Sequence, residues 1–468
     1  MIFNSLPFFI FLPVCLLIFY ALPHRFRWAF MLVASYIFYG YWKVEYLILI
    51  AFSTVVDYLV GQYLYMSDNR KKRLLALSIS LTTNLGLLFF FKYFNWFLDD
   101  IASPLGFISQ EAYGYWNQNF QFLLPVGISF YTFQTMGYTI DVFQKKVEPE
   151  KNIFKFALFV SYFPQLVAGP IERFKHLKTQ LFTKHSFTYE DLQHGGRLIL
   201  YGLFIKMCIA DNIANSVDLV FNDIASYNSA VLLQTTILFG LQIFSDFHGY
   251  SLIAIGTARL FGVHLMTNFN SPYTSLSIRE FWSRWHISLS TWFRDYLFKP
   301  LGGSRVHQLR LTANILIVFI VSGIWHGANF TFVAWGLIHG LAYVIEKYTW
   351  KHLKTNNQII NIFRWLWTMS IVFVAWIFFR ANSMDDAIYF VAKMISGGTG
   401  NVEASFPPIA LSFVGLLIIS DIVLKDQDIQ SWFNKQSFII RWSAYSFMLL
   451  AILGFAGTVN HPFIYFQF

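Results

Sequence analysis

The chain has 468 residues, of which 56% are hydrophobic and only 13% charged, against roughly 25% charged in a soluble domain. That balance excludes a soluble globular enzyme and points to a membrane protein, while the net charge of +9 is no argument for nucleic acid, because the basic residues fall in short runs between apolar segments. The two cysteines, Cys15 and Cys208, both sit in apolar segments, which excludes a disulfide framework and makes them packing residues.

In chain order, apolar runs of membrane-crossing length are expected at about 5 to 23, 28 to 42, 46 to 65, 74 to 98, 121 to 141, 193 to 213, 229 to 247, 310 to 324, 329 to 346, 362 to 379, 407 to 424 and 440 to 458. The first follows no basic region and precedes no small-residue cleavage site, so it is expected to be a retained helix and not a signal peptide. If "HRFR" at 24 to 27 and "NRKKR" at 69 to 73 both face the cytoplasm, the second and third spans form a hairpin whose turn "GYWKVE" lies outside. The expected fold is an all-α polytopic membrane protein with about 11 to 13 membrane segments, in one membrane-embedded domain over 1–468. Within it, about 1–120 are expected to be peripheral helices, 121–350 the core and 351–468 C-terminal helices.

Two segments break the alternation. "FKFALFVSYFPQLVAGP" at 154 to 170 has basic residues on both sides, so it either enters and returns through the same face or crosses as a kinked helix. Pro164, Gly169 and Pro170 suit the first reading, since a broken helix is tolerated at membrane depth only where protein or a watery cavity covers its freed backbone. The stretch 277 to 303, "SIREFWSRWHISLSTWFRDYLFKPLGG", is too polar to span and reads as an interfacial amphipathic helix. Ser277 and Glu280 would form a capping box at its start and "KPLGG" would stop it.

The chemistry-bearing residues stand inside these apolar runs. Among 12 histidines there is no "HxxxH" or "HExxH", so no metal site is expected. His326 in "GIWHGAN" has Gly323 and Gly327 to leave room beside it, and Asn329 to orient a ring nitrogen. An imidazole near its reference pKa of about 6.5 can take a proton from an alcohol and pass it to a leaving thiolate. A histidine hydrogen-bonded across a helix contact is the structural alternative. His339 lies 13 residues on, roughly 20 Å along a continuous helix, too far to share a small site. His286 stands among tryptophans beside Arg284, and Asp246 and His248 put a carboxylate and an imidazole in one apolar run, to orient a donor or to pair with each other. Buried ionisable residues, Asp57 among them, also suit a proton-coupled transporter or glycan exporter, although no two halves of related hydropathy are visible. A noncatalytic scaffold would leave the imidazoles idle.

Five long strings carry a resemblance: "FLLPVGISFYTFQTMGYTIDVF" at 122 to 143, "SYFPQLVAGPI" at 161 to 171, "FWSRWHISLSTWFRDYLFKPLGG" at 281 to 303, "SGIWHGANFTFVAWGLIHG" at 322 to 340 and "FIYFQF" at 463 to 468. Over nearly its whole length the chain resembles the membrane-bound O-acyltransferase family. More narrowly it is similar to the bacterial polysaccharide O-acetylation proteins, such as the alginate acetylation membrane protein, with the teichoic acid D-alanine exporter as a more distant relative. The resemblance implies that His326 is the catalytic histidine and His286 a second site position, facing a tunnel in a helical core. One motif departs from the pattern, because "DFHGYSLIAIG" at 246 to 256 has His248 and Leu252 where relatives carry a serine and an aspartate.

The activity so implied is acyl transfer to a hydroxyl from a thioester, with acetyl-CoA as the donor substrate and no permanently bound cofactor. Lys145, Lys146, Arg173 and Lys175 are the cations that would attract the donor phosphates by simple electrostatics, or that merely set topology. The resemblance further implies the inner membrane of a bacterium as location, a polysaccharide acceptor, and a periplasmic or membrane-anchored acetyltransferase partner. Membrane lipids and no nucleic acid complete the expected surroundings.

Overall fold

The computed structural model describes residues 1–119, 124–167, 169–350, 357–402, 406–455, 463 and 464. Residues 121–123 of one expected span, residue 168 of the broken segment, 456–458 of the last span and 465–468 of the closing motif lie outside the described residues. Each expected span contains a helix, that of 121 to 141 starting only at Ile128, and the described residues contain no strand, only a lone parallel bridge between Tyr227 and Val402. Among the described residues seven helices are long and apolar enough to cross a membrane, and two further apolar ones, Leu6–Ala21 and Pro408–Val423, are shorter. The chain divides into two compact units, residues 1–196 with 254–266, and residues 197–253 with 267–468.

The first unit begins with α1 (Leu6–Ala21), α2 (His24–Gly40), α3 (Tyr46–Met66) and α4 (Arg70–Ala102). The Asn69 side chain caps α4 by accepting from the amides of Lys71 and Lys72. The next long helix, α5 (Ile128–Phe143), is buried almost all round. Asp57 of α3 is wholly buried, and its carboxylate accepts from Ser80, from Asn84 at 2.8 Å and from Thr139 at 3.3 Å, so α3, α4 and α5 are pinned by hydroxyls and an amide. Gly61 of α3 lets the Tyr138 ring of α5 lie against the backbone, since a Cβ there would stand 2.7 Å from the phenol oxygen.

The segment at 154 to 170 is broken. Helix α6 (Ile153–Ser161) stops where Pro164 would collide with the carbonyl of Val160, Tyr162 turns extended, and one further turn, α7 (Phe163–Leu166), follows. The freed amide of Phe163 donates to Ser35 Oγ at 3.1 Å. Nine residues of helix reach only about 14 Å, half of a bilayer core, so α6 by itself does not cross one. After α8 (Phe174–Leu181) comes α9 (Tyr189–Asn222), whose later part passes into the second unit.

In the second unit α9 carries a wide π-helical turn at Phe204–Ala210, and α10 (Ser229–Leu260) packs on it with backbone nearly touching backbone. A Cβ on Gly202 would sit 2.7 Å from the carbonyl of Gly249, and one on Gly249 would sit 2.8 Å from that of Gly202. Two short helices, α11 (Ile278–Arg284) and α12 (Ile287–Phe293), lead to the antiparallel pair α13 (Gln308–His326) and α14 (Phe330–Thr349), then α15 (Gln358–Arg380) and α16 (Met384–Ile395). The unit closes with α17 (Pro408–Val423), α18 (Ile429–Lys435) and α19 (Phe438–Phe455). Arg197 of α9 ties in the last two, donating to Gln430 at 2.6 Å, Asn434 at 2.8 Å and Tyr445 at 2.7 Å.

Candidate active site

The stretch expected as one helix from 277 to 303 folds as two. Its start is as read: Ser277 Oγ accepts from the Glu280 amide at 3.0 Å, although the Glu280 carboxylate reaches the amide of Leu276, at 2.9 Å, one residue beyond the usual box. Glu346 of α14 adds a second cap, taking the Ile278 amide on both oxygens at 3.0 and 2.8 Å. Then α11 ends, Trp285 is extended, and His286 adopts a left-handed backbone with φ 43° and ψ 52° before α12 begins. Asn268 holds this break: its carbonyl accepts the Ile287 amide at 3.0 Å, its Oδ1 accepts Ser288 Oγ–H at 2.6 Å, and its Nδ2 donates to Ser251 at 3.1 Å. Helical spacing therefore does not decide the neighbours of His286; the break turns Trp285 and His286 inward together, to 1% and 0% exposure. Beyond α12 a π-helical turn at Arg294–Phe298 runs to Gly302 and Gly303, both at positive φ, where the segment stops as expected.

His326 is the last residue of α13. Its position is set by glycines: Gly323 faces the Phe332 carbonyl and Gly336 faces the Phe319 carbonyl so closely that a Cβ on either would collide with the partner backbone. The crossing packs His326 against Trp335 and Trp325, each at 5.0 Å between centroids, and Phe379 at 5.4 Å. His286 lies edge-on to Phe247 at 4.6 Å and 6.2 Å from Trp325. The two imidazoles that the sequence singles out are 6.5 Å apart, centroid to centroid, in this aromatic cage. Burial pushes the His286 pKa down to about 3, so that ring is neutral at physiological pH.

His339 corrects an expectation. The apolar run is not one continuous helix: it turns back at 327–329, so α13 and α14 are antiparallel and His339 lies one indole from His326. Trp335 stands between them, 5.0 Å from each imidazole. Trp282 Nε1 donates to His339 Nδ1 at 3.3 Å, which leaves the proton of a neutral ring on Nε2, an atom with no hydrogen-bond partner among the described residues. Asn329 does not orient His326. It caps α14, accepting from the Thr331 amide at 2.9 Å and donating to the Asn382 carbonyl at 2.9 Å.

Asp246 and His248 do not pair, because residues two apart leave a helix on different faces. His248 stacks on Phe244 at 5.1 Å. Asp246 forms an ion pair with Lys206 at 2.6 Å and accepts from the Ile464 amide at 2.6 Å, and Lys206 also binds Asp211 at 2.7 Å. This buried carboxylate–ammonium–carboxylate set was missed in the sequence, as was Asn268. A lone lysine in the middle of the apolar run 193 to 213 was the signal for the first. Asp246 is next in sequence to Phe247, the ring on which His286 leans, so the set fixes one wall of the cage. Arg284 turns to Glu280 at 3.1 Å and Asp426 at 2.9 Å, an ion pair outside the cage. Lys145, Lys146, Arg173 and Lys175 all belong to the first unit, where Lys145 lies 4.0 Å from Asp68 and Lys146 3.7 Å from Asp141. Among the described residues no cluster of three metal-ligating side chains occurs.

The model of the membrane-bound O-acyltransferase family matches residues 148–384, a range that holds His286, His326 and His339. The chain is 35% identical over 438 residues to a probable alginate O-acetylase AlgI of Pseudomonas aeruginosa, covering 93% of this chain and 83% of that one. It is 34% identical to a peptidoglycan O-acetyltransferase of Helicobacter pylori over 84% of this chain and 80% of the other, and 30% identical to a teichoic acid D-alanyltransferase of Streptococcus thermophilus over 50% and 59%. With its membrane-length helices and this match, the chain belongs to the membrane-bound O-acyltransferase family and is a multi-pass membrane O-acyltransferase.

Proposed function

We propose that the protein moves an acetyl group from acetyl-CoA toward hydroxyls of an exported or cell-envelope polysaccharide, with His326 as general base. The observation that carries this reading is the buried pair of His286 and His326, two imidazoles 6.5 Å apart in an otherwise aromatic cage. The hydroxyl oxygen attacks the thioester carbonyl carbon, His326 takes the hydroxyl proton, the carbon–sulfur bond breaks, and the proton passes to the departing thiolate. A neutral His286 can donate its ring N–H to the carbonyl oxygen as negative charge gathers there. The indoles and phenyl rings exclude water, which keeps hydrolysis from competing.

A cytoplasmic donor and an external glycan sit on opposite faces of the inner membrane, where we place the protein. The acetyl group must therefore be handed across, and a periplasmic or membrane-anchored acetyltransferase is the proposed recipient. The relatives named for alginate and peptidoglycan support a glycan acceptor. The test is release of free coenzyme A from radiolabelled acetyl-CoA by purified protein in nanodiscs, with and without membrane-derived acceptor and periplasmic extract. Label reaching an acceptor with the parent chain but not with His326→Ala is the expected result. Equal transfer by a folded His326→Ala overturns the base assignment, and no turnover of acetyl-CoA under any condition overturns the donor.

A further inference from the structure

The second unit contains a cavity of about 510 Å³ that lies outside the histidine cage, at the N-terminal end of α11 beside α14 and α15. Three cations line it, Arg279, Lys347 and Arg364, against two carboxylates, Glu280 and Glu346. Both carboxylates are already committed. Glu346 holds the Ile278 amide with both oxygens, and Glu280 is shared between the Leu276 amide and Arg284. Arg279 and Lys347 have no ion-pair partner among the described residues, so three cations share the lining with two carboxylates whose oxygens are already engaged, and the cavity is left with a positive excess. Its walls include Trp350, on whose face the Arg364 guanidinium rests at 5.3 Å, and the ring of Tyr343.

We infer that this cavity is a binding site for a phosphate ester, whose anionic oxygens meet Arg279 and Lys347 while Trp350 and Tyr343 offer flat surface to whatever the phosphate carries. Guanidinium and ammonium groups both suit a phosphate, since each adds a charge-assisted hydrogen bond to its oxygens. Two sources supply such a group at a membrane: the nucleotide end of a coenzyme thioester, or the headgroup of an anionic phospholipid. The first deepens the acyl-transfer reading and rests on it, because α11 runs directly from this cavity to the Trp285–His286 turn of the cage.

The experiment uses the full chain in nanodiscs, with coenzyme A and pantetheine as soluble probes and phosphatidylglycerol against phosphatidylcholine as lipid probes. Coenzyme A binding is titrated, and retained lipid is counted by native mass spectrometry. The variants are the double Arg279→Gln, Lys347→Gln and, separately, His326→Ala, each checked by its melting temperature. A tenfold or greater loss of coenzyme A affinity in the double variant, with pantetheine binding unchanged and His326→Ala binding like the parent, is expected for the coenzyme source. Loss of retained phosphatidylglycerol alone, in a parent that does not bind coenzyme A, keeps the phosphate site and refutes the acetyl-CoA donor. Unchanged affinity for coenzyme A and unchanged lipid retention in the folded double variant overturn the site and leave the histidine chemistry standing.

Discussion

Lys206 and His286 are both fully enclosed, yet their charge states are settled in opposite ways. Lys206 is bracketed by Asp211 and Asp246 at 2.7 and 2.6 Å, so removing the ammonium strands two buried carboxylates beside each other. Breaking such a set costs about 3 to 5 kcal/mol. Lys206→Met is expected to lower the melting temperature of the purified protein by several degrees, and a midpoint equal to that of the parent would mean the carboxylates are not held by the ammonium. For His286 the consequence appears in pH. Folded, its imidazole titrates at about 3; unfolded, at about 6.5. A depressed pKa means the proton binds the unfolded chain, so this stability is complete above about pH 6.5 and falls by about 1.4 kcal/mol per unit as the pH drops toward 3. The parent should therefore lose melting temperature more steeply than His286→Asn between about pH 7 and about pH 5. Parallel slopes would show that the ring is solvated. The sequence marked His286 and His326 by their apolar surroundings. It could not reveal that Asn329 is used up in a helix cap, because capping and ring orientation ask for the same amide.

At the scale of helices, the cage depends on how near α13 and α14 can come. Gly323 and Gly336 each face a carbonyl of the opposite helix, with no space for a methyl group. Gly336→Ala is expected to cost about 1 to 3 kcal/mol by forcing the pair apart, and to reduce transfer because His326 and Trp335 sit on opposite sides of that contact. A methyl group placed on Gly415 of α17 would meet nothing within 4 Å, so Gly415→Ala should leave activity unchanged and match or exceed the parent in stability. If both substitutions behave alike, close approach is not what positions the cage. Helix identity was legible from hydrophobic runs, and the break at Pro164 was legible from proline. The break at His286 was not, since it is made by Asn268, eighteen residues away in sequence, and no local pattern announces it. The separate spans 310 to 324 and 329 to 346 are as expected, but measuring His339 along one continuous helix misplaced it, because three residues, Gly327 to Asn329, are enough to reverse the chain.

For the whole molecule, the charge pattern and the helix lengths make one joint statement about topology. α3 has 21 residues, about 32 Å, enough to carry the chain from "GYWKVE" on one face to "NRKKR" on the other. By the positive-inside rule the basic run is expected on the cytoplasmic face. A cysteine placed at Lys43 should then react with an impermeant maleimide added outside spheroplasts, and one at Lys71 only after the membrane is opened. Cys15 and Cys208 are buried and should stay silent in both. Labelling of both new thiols from the same side would refute the hairpin. Composition was enough to show that the chain lives in a membrane, but it could not show the division at 196, 253 and 266, because those boundaries fall inside or just after long helices where no linker marks them.

The left-handed backbone of His286 has a further consequence for anyone evolving this protein. That conformation is one that glycine adopts freely and that asparagine and histidine visit more often than other side chains, so a histidine there bears a modest conformational penalty relative to glycine. A library screened only for heat resistance would accept glycine or asparagine at position 286 wherever relief of that penalty exceeds the cost of the space left in the cage. Such winners would be sturdier and would lack one imidazole of the cage, so thermal selection and turnover would pull this residue in opposite directions.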